Sequence, residues 1–66
     1  MNYIIVMDYS TGSLIKIKLT EEEKKEFTTT DDSEAFVDEL SVKYGFRMQD
    51  SYWMSVNVLQ EYNYNL

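Results

Sequence analysis

The chain has 66 residues, with twelve acidic and six basic side chains and neither cysteine nor histidine. A chain of this length forms one domain with a small core, and the disulfides and thiolate metal sites that often stabilise such domains are excluded. Because the commonest general base and the commonest thiol nucleophile are both missing, we expect no enzyme activity, no cofactor and no metal.

The net charge of −6 is unevenly distributed, since residues 21–39 hold nine acidic against two basic side chains. The nine are Glu21, Glu22, Glu23, Glu26, Asp31, Asp32, Glu34, Asp38 and Glu39. Such a segment repels phosphate groups, so we expect neither a nucleic-acid nor a membrane partner. The first ten residues lack the features of a signal peptide, and no apolar run approaches the ~20 residues of a membrane span. This pattern predicts a cytoplasmic protein.

Residues 2–9 and 13–19 predict a β-hairpin. The expected loop is Ser10-Thr11-Gly12, in which the glycine supplies a positive φ. Pairing Tyr9 with Ser13 groups six side chains on one face: Tyr3, Ile5, Met7, Ile15, Ile17 and Leu19. The reverse face then carries Ile4, Val6, Leu14, Lys16 and Lys18. A shift of one residue in this pairing would place the side chains of one strand on the face opposite to their predicted partners.

Two helical segments follow the hairpin. Residues 20–27 begin with Thr20 and Glu23 at capping-box spacing but lack an apolar stripe, which predicts a short, solvated helical turn. The main helix is expected to begin after Asp31 as its N-cap and to end at Gly45 in a left-handed conformation. Its apolar stripe consists of Phe36, Val37, Leu40 and Tyr44.

Residues 52–60 predict a third strand, with Tyr52, Met54, Val56 and Val58 facing the helix and Trp53, Ser55, Asn57 and Leu59 facing away. A helical connection places this strand beside the first one, in the sheet order 2-1-3. The prediction for residues 1–66 is therefore a single α+β domain of ββαβ type, a three-stranded antiparallel sheet with the main helix on one face. Residues 61–66 have three open interpretations: a flexible tail, an extension of the strand, or a cover over the sheet.

Three short segments carry a resemblance to known proteins: DYSTG in the hairpin, YGF after the main helix and YWM in the last strand. Together they resemble short, uncharacterised bacterial proteins of ββαβ type. The matching residues belong to a turn, a cap and a core. The resemblance therefore implies a fold, and it implies no activity and no functional residue.

The reverse face of the sheet is the strongest functional hypothesis, because nothing but the tail is left to cover it. It would expose an aromatic anchor and a polar rim, which is typical of a contact surface. Its residues are Ile4, Val6, Leu14, Trp53 and Leu59, with Lys16 and Lys18 at the rim. We predict a non-enzymatic interaction domain that pairs through this face with itself, as a homodimer, or with another protein. The alternative is that lysine stems and the tail cover scattered apolar residues.

A second hypothesis uses the acidic segment. Residues 21–39 could imitate the charge of a nucleic acid and so inhibit a basic protein. The pair Asp31 and Asp32 is interpreted as part of a helix start rather than as a catalytic acid and base. The DDSE segment lacks the spacing of a calcium-binding loop, which leaves no specific metal site in the sequence.

Overall fold

The computed structural model describes residues 2–66. Its elements in chain order are β1 (Tyr3–Asp8), β2 (Ser13–Lys18), α1 (Glu21–Thr29), α2 (Ser33–Tyr44) and β3 (Ser51–Val56). β1 pairs antiparallel with both other strands, so the sheet order is β2-β1-β3. The α+β class, the antiparallel sheet and the strand order 2-1-3 are therefore confirmed. The short turn expected before the main helix is a second helix, α1.

The register of the hairpin differs from the prediction by one residue. Val6 lies opposite Ile15, and Ile4 lies opposite Ile17. The predicted pairing of Met7 with Ile15 is therefore wrong, and the loop contains the four residues 9–12 instead of three. Because side chains alternate along a strand, this shift turns every side chain of β1 to the other face.

The cause of the longer loop is Asp8, whose side chain is almost fully buried. Its Oδ1 atom accepts hydrogen bonds from the backbone N–H groups of Ser10, at 3.0 Å, and Thr11, at 3.3 Å. The Gly12 N–H group donates to the Asp8 carbonyl oxygen at 2.9 Å. An aspartate that satisfies the backbone in this way begins a turn of its own, and here it fixes the register.

The two faces of the sheet carry different sets of side chains. The face that we call the core face carries Ile4, Val6, Ile15, Ile17, Trp53 and Ser55. The other, which we call the outer face, carries Tyr3, Ile5, Met7, Leu14, Lys16, Lys18, Tyr52, Met54 and Val56. The prediction was thus right for both faces of β2 and wrong for those of β1 and β3.

A single apolar cluster joins the core face to the helices. Its buried members are Ile4, Val6, Ile17, Leu19, Phe36, Val37 and Leu40. Ile4 and Val6 are fully buried, which corrects their predicted place on an open face. Trp53 is partly buried and packs against the same cluster, so its predicted place facing away from the helix is also wrong. Phe27 extends the cluster into α1, where its ring lies 5.1 Å from that of Phe36.

The ends of the helices follow local hydrogen bonding. The capping box of Thr20 and Glu23 is confirmed at the start of α1. The N-cap of α2 is Asp32 and not Asp31, because the Asp32 carboxylate accepts from the N–H groups of Glu34 and Ala35. The predicted helix end is confirmed, since Gly45 adopts φ 78° and its N–H group donates to the carbonyl of residue 41.

The third strand is shorter than predicted, because β3 ends at Val56. Val56 already pairs with Tyr3, the first residue of β1, so β1 has no further strand residue with which the residues after Val56 could pair. The side-chain amide of Asn2 donates to the Asn57 carbonyl at 2.9 Å and closes this end of the sheet. Residues 57–66 form no strand, which removes the interpretation of the tail as a strand extension.

We expect Gly12→Ala to lower the free energy of unfolding by about 1–2 kcal/mol, because Gly12 adopts φ 72° and a Cβ disfavours this conformation. No heavy atom of residues 2–66 outside the turn residues 11–13 lies within 4 Å of the position of the added Cβ, so we attribute the effect to the backbone conformation. Urea unfolding measures it. Gly12→Asn is the matched control and should lose less, since asparagine tolerates positive φ. Equal losses in the two variants would contradict this account of the turn.

Candidate functional site

A row of exposed apolar side chains crosses the outer face near the hairpin loop. Met7, in the central strand, lies opposite Leu14 on one side and Tyr52 on the other. Leu14 is 57% exposed and Tyr52 67%, and Met54 follows Tyr52 on the same face at 48%. Because neighbouring strands lie about 5 Å apart, these side chains form one contiguous surface rather than scattered positions.

Tyr9 extends this surface beyond the end of β1. Its ring lies 5.3 Å from the ring of Tyr52 at an interplanar angle of 33°. Its hydroxyl donates to Oδ1 of Asp50 at 3.4 Å. We call the five residues of this surface the outer patch: Met7, Tyr9, Leu14, Tyr52 and Met54.

The segment after β3 contacts the outer face of the sheet at Lys16. Glu61 forms an ion pair with Lys16 of β2, which also lowers the pKa of the Glu61 carboxyl. β2 and β3 are the two edges of the sheet, so this ion pair joins the segment after β3 to the far edge strand. Leu59 is half-buried, and Ile5, which lies between Lys16 and Met54 on the outer face, is only 4% exposed. Each residue of the outer patch, in contrast, is 48% or more exposed.

The predicted interface residues therefore separate into three groups. Leu14, Lys16 and Lys18 lie on the outer face, as the sequence predicted. Ile4, Val6 and Trp53 belong to the core face, and Leu59 lies beyond the end of β3.

Four members of the outer patch were missed by sequence reasoning: Met7, Tyr9, Tyr52 and Met54. The signal that could have found them is Asp8 followed by Ser10, Thr11 and Gly12. An aspartate in this position favours a turn that it caps itself, and that turn fixes the face of each β1 side chain. The faces of β3 then follow from its pairing with β1.

A buried carboxylate joins the two helices. Glu23 Oε2 accepts hydrogen bonds from Lys43 Nζ and from the Tyr44 hydroxyl, both at 2.8 Å, and Oε1 accepts from the Thr20 N–H group at 2.9 Å. Burial by itself would raise the pKa of Glu23, but these hydrogen bonds outweigh it and lower the pKa to about 2. Glu23 is therefore a structural anion and not a group that exchanges protons near neutral pH.

The other acidic residues of the 21–39 segment are exposed. Glu21 pairs with Lys24 at 3.2 Å, and Asp32 caps α2. The exposed set is Glu21, Glu22, Glu26, Asp31, Asp32, Glu34, Asp38 and Glu39. Glu23 is thus the one predicted member of the acidic surface that the fold removes from solvent.

A second charged cluster ties the hairpin loop to the loop before β3. Arg47 Nε lies 3.6 Å from Asp8 Oδ2, and its guanidinium also contacts Ser10 and Asp50. The hydrogen bond from the Ser10 hydroxyl is the main cause that lowers the pKa of Asp8. Ser10 donates to a carboxylate that is itself held ionised, so this arrangement stabilises two loops and does not activate a nucleophile.

From Asn2 to Leu66, no group of three acidic side chains lies in an arrangement that could hold a metal ion. Neither of the helices within these residues has the length and apolar character needed to span a membrane. The outer patch is an exposed apolar surface of the kind that is typical of a contact surface.

Comparisons with protein-family models, with curated proteins and with solved structures find no match to this chain. The resemblance to short bacterial ββαβ proteins stays a prediction.

Proposed function

We propose that the protein is a non-enzymatic interaction domain that pairs through the outer face of its sheet with a second copy of itself or with another protein. The observation that carries the proposal is the outer patch, where large apolar side chains from all three strands are exposed together. Aromatic and methionine side chains are enriched in the centres of protein interfaces. Lys16 and Lys18 supply a polar rim on the same face.

The arrangement of the layers supports this proposal. With α1 and α2 packed on the core face, neither helix contributes to the apolar cover of the outer face, and Glu61 of the segment after β3 contacts this face at Lys16. A domain of 66 residues has little core, so burial of the outer patch adds a large fraction to the apolar area already removed from water. Pairing is a common way for such small domains to gain stability.

Leu14→Lys tests the self-pairing form of the proposal. Sedimentation velocity of the parent protein, up to about 1 mM, should show concentration-dependent association. Leu14→Lys should weaken it at least about tenfold, because a lysine in the patch is costly to desolvate. The control is Val42→Lys, on an exposed position of α2 away from the sheet, which should leave association unchanged. A parent protein that stays monomeric at the highest concentration would remove self-pairing.

A second candidate function rests on the eight exposed acidic residues of the 21–39 segment. They lie on two consecutive helices and the joint between them, with only two lysines in the same segment. Such a surface could occupy the nucleic-acid site of a basic protein and so inhibit it. Binding of this kind should weaken steeply as salt is raised, whereas contact through the outer patch should not.

A further inference from the structure

A groove runs along the free side of the sheet, between β3 and the first half of α2. Its volume is about 450 Å³, and it is lined by Asp32, Glu34, Ala35, Asp38, Met48, Ser51 and Trp53. Three of these side chains are acidic. Asp32 is occupied as the N-cap of α2, but the carboxylates of Glu34 and Asp38 form no ion pair within residues 2–66.

The edge of β3 beside this groove is open to another strand. The Tyr9 N–H group donates to the Asp50 carbonyl at 3.0 Å. This hydrogen bond identifies which residues of β3 direct their backbone N–H and C=O groups toward β1. Even-numbered residues of β3 therefore direct their backbone groups toward β1. The N–H and C=O groups of Ser51, Trp53 and Ser55 point the other way, where the described part of the chain supplies no strand.

The two edges of the sheet differ in how they are protected. Lys16 and Lys18 lie on the β2 edge, and lysines on an edge strand discourage pairing with another strand. Residues 51–60 contain no charged side chain and no proline, although the chain as a whole carries −6. β3 is thus the edge that accepts a strand without repelling it.

We propose that the β3 edge binds an extended, basic segment of a partner protein, which adds a fourth strand to the sheet. This site uses the backbone edge of β3 and the groove beside it, which the function proposed above does not use. Side chains of an added strand alternate between the two faces. Those on the core-face side enter the groove, where lysine or arginine stems pack on Trp53 and Met48 and their charges reach Glu34 and Asp38. Those on the other side lie beside Tyr52 and Met54 and are apolar.

The test uses a capped peptide of about eight residues that alternates lysine and valine, which is long enough to span the six residues of β3. Trp53 is the only tryptophan of the chain and lines the groove, so its fluorescence reports binding directly. We expect a saturable change that weakens as salt is raised. The same peptide with glutamate in place of lysine should produce none, because it would meet the carboxylates of the groove.

Ser55→Pro separates edge pairing from nonspecific attraction to an acidic protein. Proline removes the outward N–H group and leaves the ladder with β1 intact, so affinity should fall at least about tenfold. Ser55→Ala keeps the N–H group and should bind like the parent. A Glu34→Gln and Asp38→Asn double variant, which leaves the edge intact, should bind about three- to tenfold more weakly.

Several results would overturn the proposal. They are the absence of a saturable signal at about 1 mM peptide, binding that survives Ser55→Pro, and equal binding of the glutamate peptide. A parent protein whose self-association is abolished by Ser55→Pro would assign the edge to a second copy instead. Leu14 lies on β2, at the far edge of the sheet from β3. The self-association test with Leu14→Lys and the peptide-binding test at β3 can therefore give opposite results, so failure of one proposal is distinguishable from failure of the other.

Discussion

Val6→Lys should unfold the protein rather than weaken a surface contact. Val6 is fully buried between the sheet and α2, so the variant places an unpaired ammonium group in the apolar cluster. The penalty for a buried charge without a partner is several kcal/mol. Total stability for a chain of this length is about 3–10 kcal/mol, so little or no folded protein should remain. Circular dichroism measures the loss of folded protein, and a urea titration should show no cooperative unfolding transition.

A graded pair of variants tests the same assignment in case Val6→Lys cannot be purified. Ile4→Ala should lower the free energy of unfolding by about 2–5 kcal/mol, because it creates a cavity in the cluster. Leu14→Ala is the matched control, and its cost should be within about 0.5 kcal/mol of zero, since Leu14 is exposed on the outer face. The observed register places Ile4 and Leu14 on opposite faces of the sheet, whereas the register predicted from the sequence places both on one face. Similar losses of unfolding free energy in the two variants would therefore contradict the observed register.

Glu23→Ala should be the second strongly destabilising change, with a loss of about 2–4 kcal/mol. The variant removes the side chain that links α1 to Lys43 and Tyr44 of α2 and completes the capping box with Thr20. Urea unfolding at neutral pH gives the loss. The matched control is Glu23→Gln, which keeps an oxygen for the Thr20 N–H group but removes the charge, so it should lose less than Glu23→Ala.

The stabilisation from the Glu23 charge should depend on pH in a defined direction. The pKa of Glu23 falls from an ordinary 4.5 to about 2 on folding, so the unfolded chain binds the proton more readily. The contribution of the Glu23 charge to the free energy of unfolding is complete above pH 4.5 and is lost as the pH falls toward 2. It amounts to about 3 kcal/mol at most.

The difference in unfolding free energy between the parent and Glu23→Gln measures this contribution. It should stay constant from neutral pH to about 5 and shrink between pH 4.5 and 2. Titration of the other carboxyl groups acts on both proteins and largely cancels in the difference. A difference that is unchanged down to pH 2 would contradict the role of Glu23 as a buried anion.

The sequence alone determined the features that depend on neighbouring residues. The capping box at Thr20, the left-handed Gly45 and the buried Phe36, Val37 and Leu40 of α2 all follow from short spacings. Tyr44, the fourth residue predicted for the apolar stripe, is instead 45% exposed. The strand order also followed, because a helical connection after a hairpin leaves few topologies. The two faces of β2 were readable because Lys16 and Lys18 alternate with isoleucines.

The faces of β1 and β3 that meet the helices are seen only in the folded chain. Each face of β1 carries at least two large apolar side chains, so its hydrophobic pattern favours neither face, and the register depends on the carboxylate of Asp8. Asp8 closes a four-residue loop, and this moves Ile4 and Val6 into the core. It leaves Met7 on the outer face beside Tyr52. Since side chains alternate with a period of two, one extra loop residue was enough to exchange the interior of the protein with its contact surface.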